Sequence, residues 1–288
     1  MHSTCRVVCL CPEGKIVQTL PEDEAVLGVT LLGKELYLLR STQDPVDQVE
    51  VYDVTNYYHL QRHLTVPNCR QFTDMTSCEH SLCLYISDPG VRCVHRLDLE
   101  GNSTVWPVGA KPNNLSVNAN HSLIVTCRRV RKIKEFCPEG TLLRDVTLPA
   151  DVINPWHAIQ LTSGQFIVCH GNDDDAVKAV CVVSVDGGQT QTVLSHGGQP
   201  GSDIGQYNGP VHLAIDDAES VLVADLINRR VTLLSPTLEF IRQVVSAEQV
   251  NWLPGRLCLD VERRRLYVTD NEYRDGQLTA GRVVVFTV

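Results

Sequence analysis

Residues 195–236 read Ser195-His-Gly-Gly-Gln-Pro-Gly-Ser-Asp-Ile-Gly-Gln-Tyr-Asn-Gly-Pro210-Val-His-Leu-Ala-Ile-Asp-Asp-Ala-Glu-Ser-Val-Leu-Val-Ala-Asp225-Leu-Ile-Asn-Arg-Arg-Val-Thr-Leu-Leu-Ser-Pro236. This stretch is the best-preserved copy of a pattern that recurs about every 43 residues, a period that with short strands means a β-propeller. Each unit resolves into four short strands, A to D from the channel outward. Strand B is the clearest. Its six copies are Leu36-Tyr-Leu-Leu-Arg40, Leu84-Tyr-Ile-Ser-Asp88, Leu123-Ile-Val-Thr-Cys127, Phe166-Ile-Val-Cys-His170, Val221-Leu-Val-Ala-Asp225 and Leu266-Tyr-Val-Thr-Asp270. All are rich in β-branched or aromatic residues.

The expected fold is all-β, a six-bladed propeller filling residues 1–288 as one domain, with blades at about 24–66, 67–108, 109–149, 150–195, 203–246 and 247–288. The count gives six A, six B and six D strands but seven C-like strands, and the first D strand, Lys15–Leu20, precedes the first A strand. The ring is therefore expected to close in one blade, with Lys15–Leu20 as the outer strand beside Val283–Phe286, which leaves no frayed terminal repeat. The extra C-like segment, Arg6–Leu10, has no assigned place. The fourth unit departs from the period, with a long B–C loop, Gly171–Lys178, and a long D–A connection, Ser195–Gly209. Long loops on a rigid scaffold are where function concentrates.

The unit at 195–236 resembles the NHL repeat, through Gly197-Gly198, Gly205-Gln206-Tyr207, Pro210, Leu213-Ala-Ile-Asp216, Val223-Ala-Asp225 and Asn228-Arg-Arg-Val231. The unit at 254–288 is similar through Val268-Thr-Asp270 and Arg282-Val, while units one to four keep only the strand pattern. The resemblance implies a recognition module, like the propellers at the C-termini of TRIM-type ubiquitin ligases, which bind RNA or proteins. RING, B-box and coiled-coil segments are absent from this chain, so ligase activity would lie in a larger multidomain chain.

Composition narrows the classes. Net charge is −9, against a wholly basic nucleic-acid protein but not against a local basic patch. Twelve cysteines sit mostly singly within strands, with no Cys-x-x-Cys, which reads as reduced thiols and a cytoplasmic setting. No apolar run is long enough to span a membrane, and the N-terminus lacks signal-peptide features. Sequons at Asn102, Asn114 and Asn120 then read as chance matches.

Three groups of residues carry the candidate chemistry. The first is a ring of polar residues near the starts of the A strands: Glu24, Arg70, Asn114, His157, His212 and Arg256. Histidines with a carboxylate could hold a metal, and the alternative function is a calcium- or zinc-dependent hydrolase or lyase with ligands Glu24, Asn114, His157 and His212. The interspersed arginines favour an anion instead, and a hydrated structural lining competes with both readings. The apolar phase around His157 looks shifted by one against His212, which leaves its facing open.

The second group is the basic loop Arg128, Arg129, Arg131 and Lys132, followed by Lys134, joined on the B–C/D–A face by Arg92, Arg229, Arg230, Trp156, Tyr207 and Trp252. Cations beside aromatics suit single-stranded RNA or a protein hot spot. Arg229 and Arg230 read more naturally as repeat-internal partners of Asp225-type residues. The third group, Asp173–Asp175, lacks EF-hand spacing and reads as a solvated loop. Arg263–Arg265 fall at an A–B turn on the other face, and Asp88, Asp225 and Asp270 read as turn caps at the ends of B strands. No nucleophile elbow, P-loop or His-Glu-x-x-His occurs. The reading is a non-enzymatic recognition module without cofactor, binding protein or single-stranded RNA through the B–C/D–A face.

Overall fold

The computed structural model describes residues 14–41, 48–69, 71–171 and 176–288. Its first strand is β1 (Lys15–Thr19). Blade 1 contains β2 (Val26–Leu32), β3 (Glu35–Arg40), β4 (Gln48–Asp53) and β5 (His59–Thr65), and blade 2 contains β6 (Asp74–Cys78), β7 (Cys83–Asp88), β8 (Cys93–Asp98) and β9 (Ser103–Pro107). Blade 3 follows with β10 (Leu115–Val117), β11 (Leu123–Cys127), β12 (Lys132–Phe136) and β13 (Leu142–Thr147). Blade 4 has β14 (Pro155–Gln160), β15 (Phe166–His170), β16 (Lys178–Asp186) and β17 (Gln189–Gly198). Blade 5 has β18 (Pro210–Ile215), β19 (Val221–Asp225), β20 (Arg230–Leu234) and β21 (Phe240–Val245), and blade 6 has β22 (Leu253–Asp260), β23 (Arg265–Arg274) and β24 (Gln277–Thr287).

Every sheet has four antiparallel strands, and the last has the order β1-β24-β23-β22. The N-terminal strand is thus the outer strand of blade 6, as expected, with Ile16 opposite Phe286 and Thr19 opposite Val284. The ring closes by hydrogen bonds between the two ends of the chain rather than by packing alone. The extra C-like segment Arg6–Leu10 and the acidic loop Asp173–Asp175 lie outside the described residues. Strand β17 runs on to Gly198, so the D–A connection of blade 4 begins later than the sequence suggests.

Each B strand is wholly or almost wholly buried and alternates its side chains between two neighbours. Leu36 and Leu38 pack toward blade 6 with Tyr267, Val283 and Val285, while Tyr37 and Leu39 pack toward blade 2 with Met75, Leu84 and Ile86. Leu222 and Ala224 likewise face blade 6, and Val221 and Val223 face blade 4. Hydrophobic clusters of this kind fill all six interfaces between adjacent blades.

Blades 1 and 2 approach most closely at Gly28. A Cβ there would stand 2.7 Å from Met75 Cβ and 2.8 Å from Met75 N. Gly28→Val is expected to overpack this seam at a cost of about 1–3 kcal/mol, with a melting temperature lower by about 2–4 °C for each kcal/mol. Thermal unfolding followed by circular dichroism measures it, and an unchanged melting temperature would contradict the packing described.

Candidate recognition face and channel belt

Register places the inner-strand polar residues. His157 pairs with Cys169 and His212 with Ala224, each just past a bulge that follows a proline. These bulges reset the phase, so the two histidines face the same way despite the different apolar patterns around them. Their rings stack at 4.0 Å between centroids. The equivalent positions in blades 1 and 2 are Gly28, opposite Leu39, and Asp74, opposite Ser87. This corrects the spacing argument. Glu24 precedes β2 and is replaced in the ring by Gly28, and Asp74 takes the position assigned to Arg70, itself outside the described residues.

The ring is a hydrogen-bonded belt across the channel. Asp74, Asn114, His157 and His212 are buried. Arg256 of blade 6 reaches blade 2, with Nε 2.9 Å from Asp74 Oδ1 and a guanidinium N–H donated to Thr73 O at 2.7 Å. Asp74 Oδ2 accepts the Leu115 N–H at 2.8 Å. His157 donates from Nε2 to Leu115 O at 3.0 Å and accepts the Leu213 N–H on Nδ1 at 3.1 Å, which fixes its tautomer. His212 Nδ1 accepts the Leu257 N–H at 3.3 Å, and Asn114 donates to Val211 O at 3.3 Å. Each bond joins different blades, so the belt stitches the inner strands together.

Its electrostatics follow from burial. Loss of water pushes His157 down to about 3, helped by nearby Arg256 and resisted by the bond to Leu115 O. Burial, with His157 and Arg256 alongside, holds His212 well below the ordinary imidazole range. Burial pushes Asp74 up to about 6 against the pull of Arg256 and the Leu115 N–H. Both histidines are therefore neutral at pH 7. Asp74, His157 and His212 offer ligand atoms within 4.8 Å of one another, yet both nitrogens of His157 are committed to backbone partners. The belt fits a structural role better than a metal centre, and it puts His157 and His212 inside the channel rather than on the outer face.

The belt separates two recesses. On the A–B side a cavity of about 510 Å³ is lined by His157, His212, Asn118, Asp216, Asp217 and Glu219. On the B–C/D–A side the basic loop forms a pocket of about 350 Å³ with Lys111, Arg128, Arg129, Gln71, Asn113 and Asn154. Beside it an apolar pocket of about 380 Å³ is walled by Trp156, Leu226, Ile227, Leu253, Tyr273 and Leu278, with Arg256 at its base. The two meet at Arg128, whose guanidinium lies 3.8 Å from the centre of the Trp156 ring. That is stacking distance for a cation on an indole. Trp156 is itself pinned by its indole N–H, donated to Gly171 O at 2.9 Å.

Other members of the basic group have different tasks. Lys132 and Lys134 both pair with Asp145 on β13, at 2.9 and 2.8 Å, so half of their charge is offset within the blade. Arg131 occupies the left-handed region at φ 52° and donates to Ala150 O at 3.2 Å. Arg230 pairs with Asp225 at 2.9 Å, as the repeat grammar implies. Arg229 instead caps the next D–A connection through the carbonyls of Ala247, Val250, Asn251 and Trp252. Tyr207 is corrected from surface to core: it is 1% exposed and packs between blades 4 and 5. Trp252 sits under Arg282, 5.6 Å from ring centre to guanidinium. Asp88, Asp225 and Asp270 do accept turn and loop N–H groups. Arg263 pairs with Asp260 at its A–B turn.

No family model and no curated protein matches the sequence. Solved structures match in shape. A PQQ-bound aldose sugar dehydrogenase from Streptomyces coelicolor superposes with a TM-score of 0.64 at 12% identity, over 96% of this chain and 99% of that one. A virginiamycin B lyase from Staphylococcus aureus gives 0.62 at 10%, over 93% and 99%. Kuenenia stuttgartiensis hydrazine synthase gives 0.62 at 12%, over 91% and 95%. At such identity the likeness carries the propeller fold alone.

Proposed function

We propose that this propeller is a non-enzymatic recognition module of NHL type, and that its B–C/D–A face holds a protein segment pairing an acidic group with an apolar side chain. The observation that carries the reading is the pair of adjoining pockets, one basic at Lys111, Arg128 and Arg129, one apolar around Trp156, hinged at the Arg128–Trp156 stack. An anion in the first and an aliphatic or aromatic group in the second form an anchor-and-charge pattern typical of protein hot spots. A protein segment is favoured over single-stranded RNA because base stacking needs open aromatic faces. One face of Trp156 is taken by Arg128, and Tyr207 is buried. The three structural neighbours are enzymes, but the centre of this channel is spent on inter-blade hydrogen bonds.

Display selection of random peptides on the intact protein is expected to enrich acidic residues next to large apolar ones. Arg128→Glu with Arg129→Glu should weaken a selected peptide by about 2–5 kcal/mol, as for truncated charge pairs in interfaces. If poly(U) binds instead, with affinity falling steeply as salt rises, and the same double variant abolishes it, the face reads RNA. Peptide binding indifferent to both substitutions removes this face from consideration.

A further inference from the structure

A second cluster of ligand-type side chains lies in blade 2, away from the channel belt. Cys69 comes from the D–A connection between β5 and β6, Asp88 from the end of β7, and His95 from β8. Their ligand atoms lie within 4.8 Å of one another. Cys69 Sγ is 3.0 Å from Asp88 Oδ2, and His95 Nε2 is 3.4 Å from the same oxygen. Asp88 uses its other oxygen, Oδ1, to accept the N–H groups of Gly90 and Val91 at 2.9 and 3.2 Å, which aims Oδ2 at the thiol and the imidazole.

His95 makes this more than a chance grouping. Its side chain is 1% exposed, and neither ring nitrogen makes a hydrogen bond. Nε2 is near Asp88 but too poorly aligned for one. A buried imidazole whose Nδ1 has no partner and whose Nε2 has only the 3.4 Å contact to Asp88 Oδ2 is costly, because it forgoes water without full replacement. Blade 2 also departs from the repeat at this point. The residue opposite the strand-ending aspartate is Arg230 in blade 5 and Arg282 in blade 6, but Cys93 in blade 2.

We propose that Cys69, Asp88 and His95 form a zinc-binding site. A thiolate, an imidazole and a carboxylate are the donor types zinc takes, and with bonds of about 2.3 Å to sulfur and about 2.0 Å to nitrogen or oxygen a tetrahedron has edges of about 3.3–3.5 Å. The imidazole-to-carboxylate separation of 3.4 Å matches such an edge, and the thiol-to-carboxylate separation of 3.0 Å needs only a small opening. Binding displaces the Cys69 thiol proton to solvent and gives a nitrogen of His95 its missing partner. Cys69 is only partly buried, which gives the ion a way in. Three protein ligands leave the fourth position to water or to a group from a partner. Gln71 and Pro89, which line the basic pocket, lie within two residues of these ligands, so the metal would staple that rim of the face.

The test uses the full chain stripped with a chelator and titrated with Co²⁺ alone, then with Zn²⁺. The wild type is expected to develop a near-ultraviolet thiolate-to-cobalt band, which Zn²⁺ abolishes. Cys69→Ser should lose the band and bind Zn²⁺ roughly 100-fold more weakly, at least the loss seen when an outer-shell partner is removed. The channel cluster contains no sulfur, so it cannot produce the band. Zn²⁺ should also raise the melting temperature of the wild type and not of Cys69→Ser. A wild type without the band, or a Cys69→Ser protein that retains it, overturns the proposal.

Discussion

Replacing Asp74 with alanine is expected to cost about 3–5 kcal/mol of stability, the range for breaking a buried ion pair by removing one partner. Asp74 is 1% exposed and holds two neighbours at once, the Arg256 guanidinium on Oδ1 and the Leu115 N–H on Oδ2. Its loss leaves a guanidinium with, among the described residues, the Thr73 carbonyl as its remaining partner, and leaves Leu115 N–H without this acceptor. Arg256→Ala strands the carboxylate instead. Asp74 escapes part of that cost by taking a proton, because burial already holds it near pKa about 6. Asp74→Ala is therefore expected to be the worse of the two at pH 7. The double change Asp74→Ala with Arg256→Ala removes both charges and should cost less than the sum of the two single losses, since no unpaired buried charge remains. Urea unfolding of the four proteins forms the cycle that isolates the pair. A loss below about 1 kcal/mol for both single variants would place Asp74 and Arg256 among solvent-screened pairs and contradict the belt.

The sequence displays the ring architecture because a propeller repeats its grammar. The B strands carry continuous apolar runs, and the orphan strand at Lys15–Thr19 needs a partner that only the C-terminal blade supplies. The belt was half legible. His157, His212, Asn114 and Arg256 stand out as polar residues at the start of apolar strands. Asp74 did not, because Asp74-Met-Thr-Ser-Cys lacks the apolar alternation that marks the other A strands. Gly28 has no side chain to notice, yet its emptiness lets blade 1 close on Met75 of blade 2.

Charges on the basic loop were legible as composition but not as geometry. Asp145 lies on the next strand, and only the pairing of Lys134 opposite Asp145 shows that Lys132 and Lys134 share one carboxylate, which offsets half of their charge. Cys69, Asp88 and His95 have no spacing signature, since they come from a loop, a strand end and the following strand. Their convergence is a product of the blade.

Acidification tests the belt from the other direction. His212 is neutral in the fold and held well below the ordinary imidazole value of about 6.5, so the unfolded chain takes up a proton there that the native protein refuses. Its contribution to stability is fully present above pH 6.5 and is lost as the pH falls toward the native pKa. His157, pushed down to about 3, acts in the same sense, as do His95 and His196, both lowered by burial. Asp74 acts oppositely: raised from 3.8 to about 6, it binds its proton earlier in the fold, and Asp225, raised by burial, joins it. The groups facing His212 are His157, Asp74 and Arg256, so its own share is best read by difference. His212→Gln keeps an acceptor for the Leu257 N–H and removes the titrating ring. Between pH 6 and 5 the wild type should lose stability more steeply than His212→Gln by about 1.4 kcal/mol per pH unit, the value of one proton. Urea unfolding at pH 7, 6, 5.5 and 5 measures both slopes, and equal slopes would mean that His212 is protonated within the native channel.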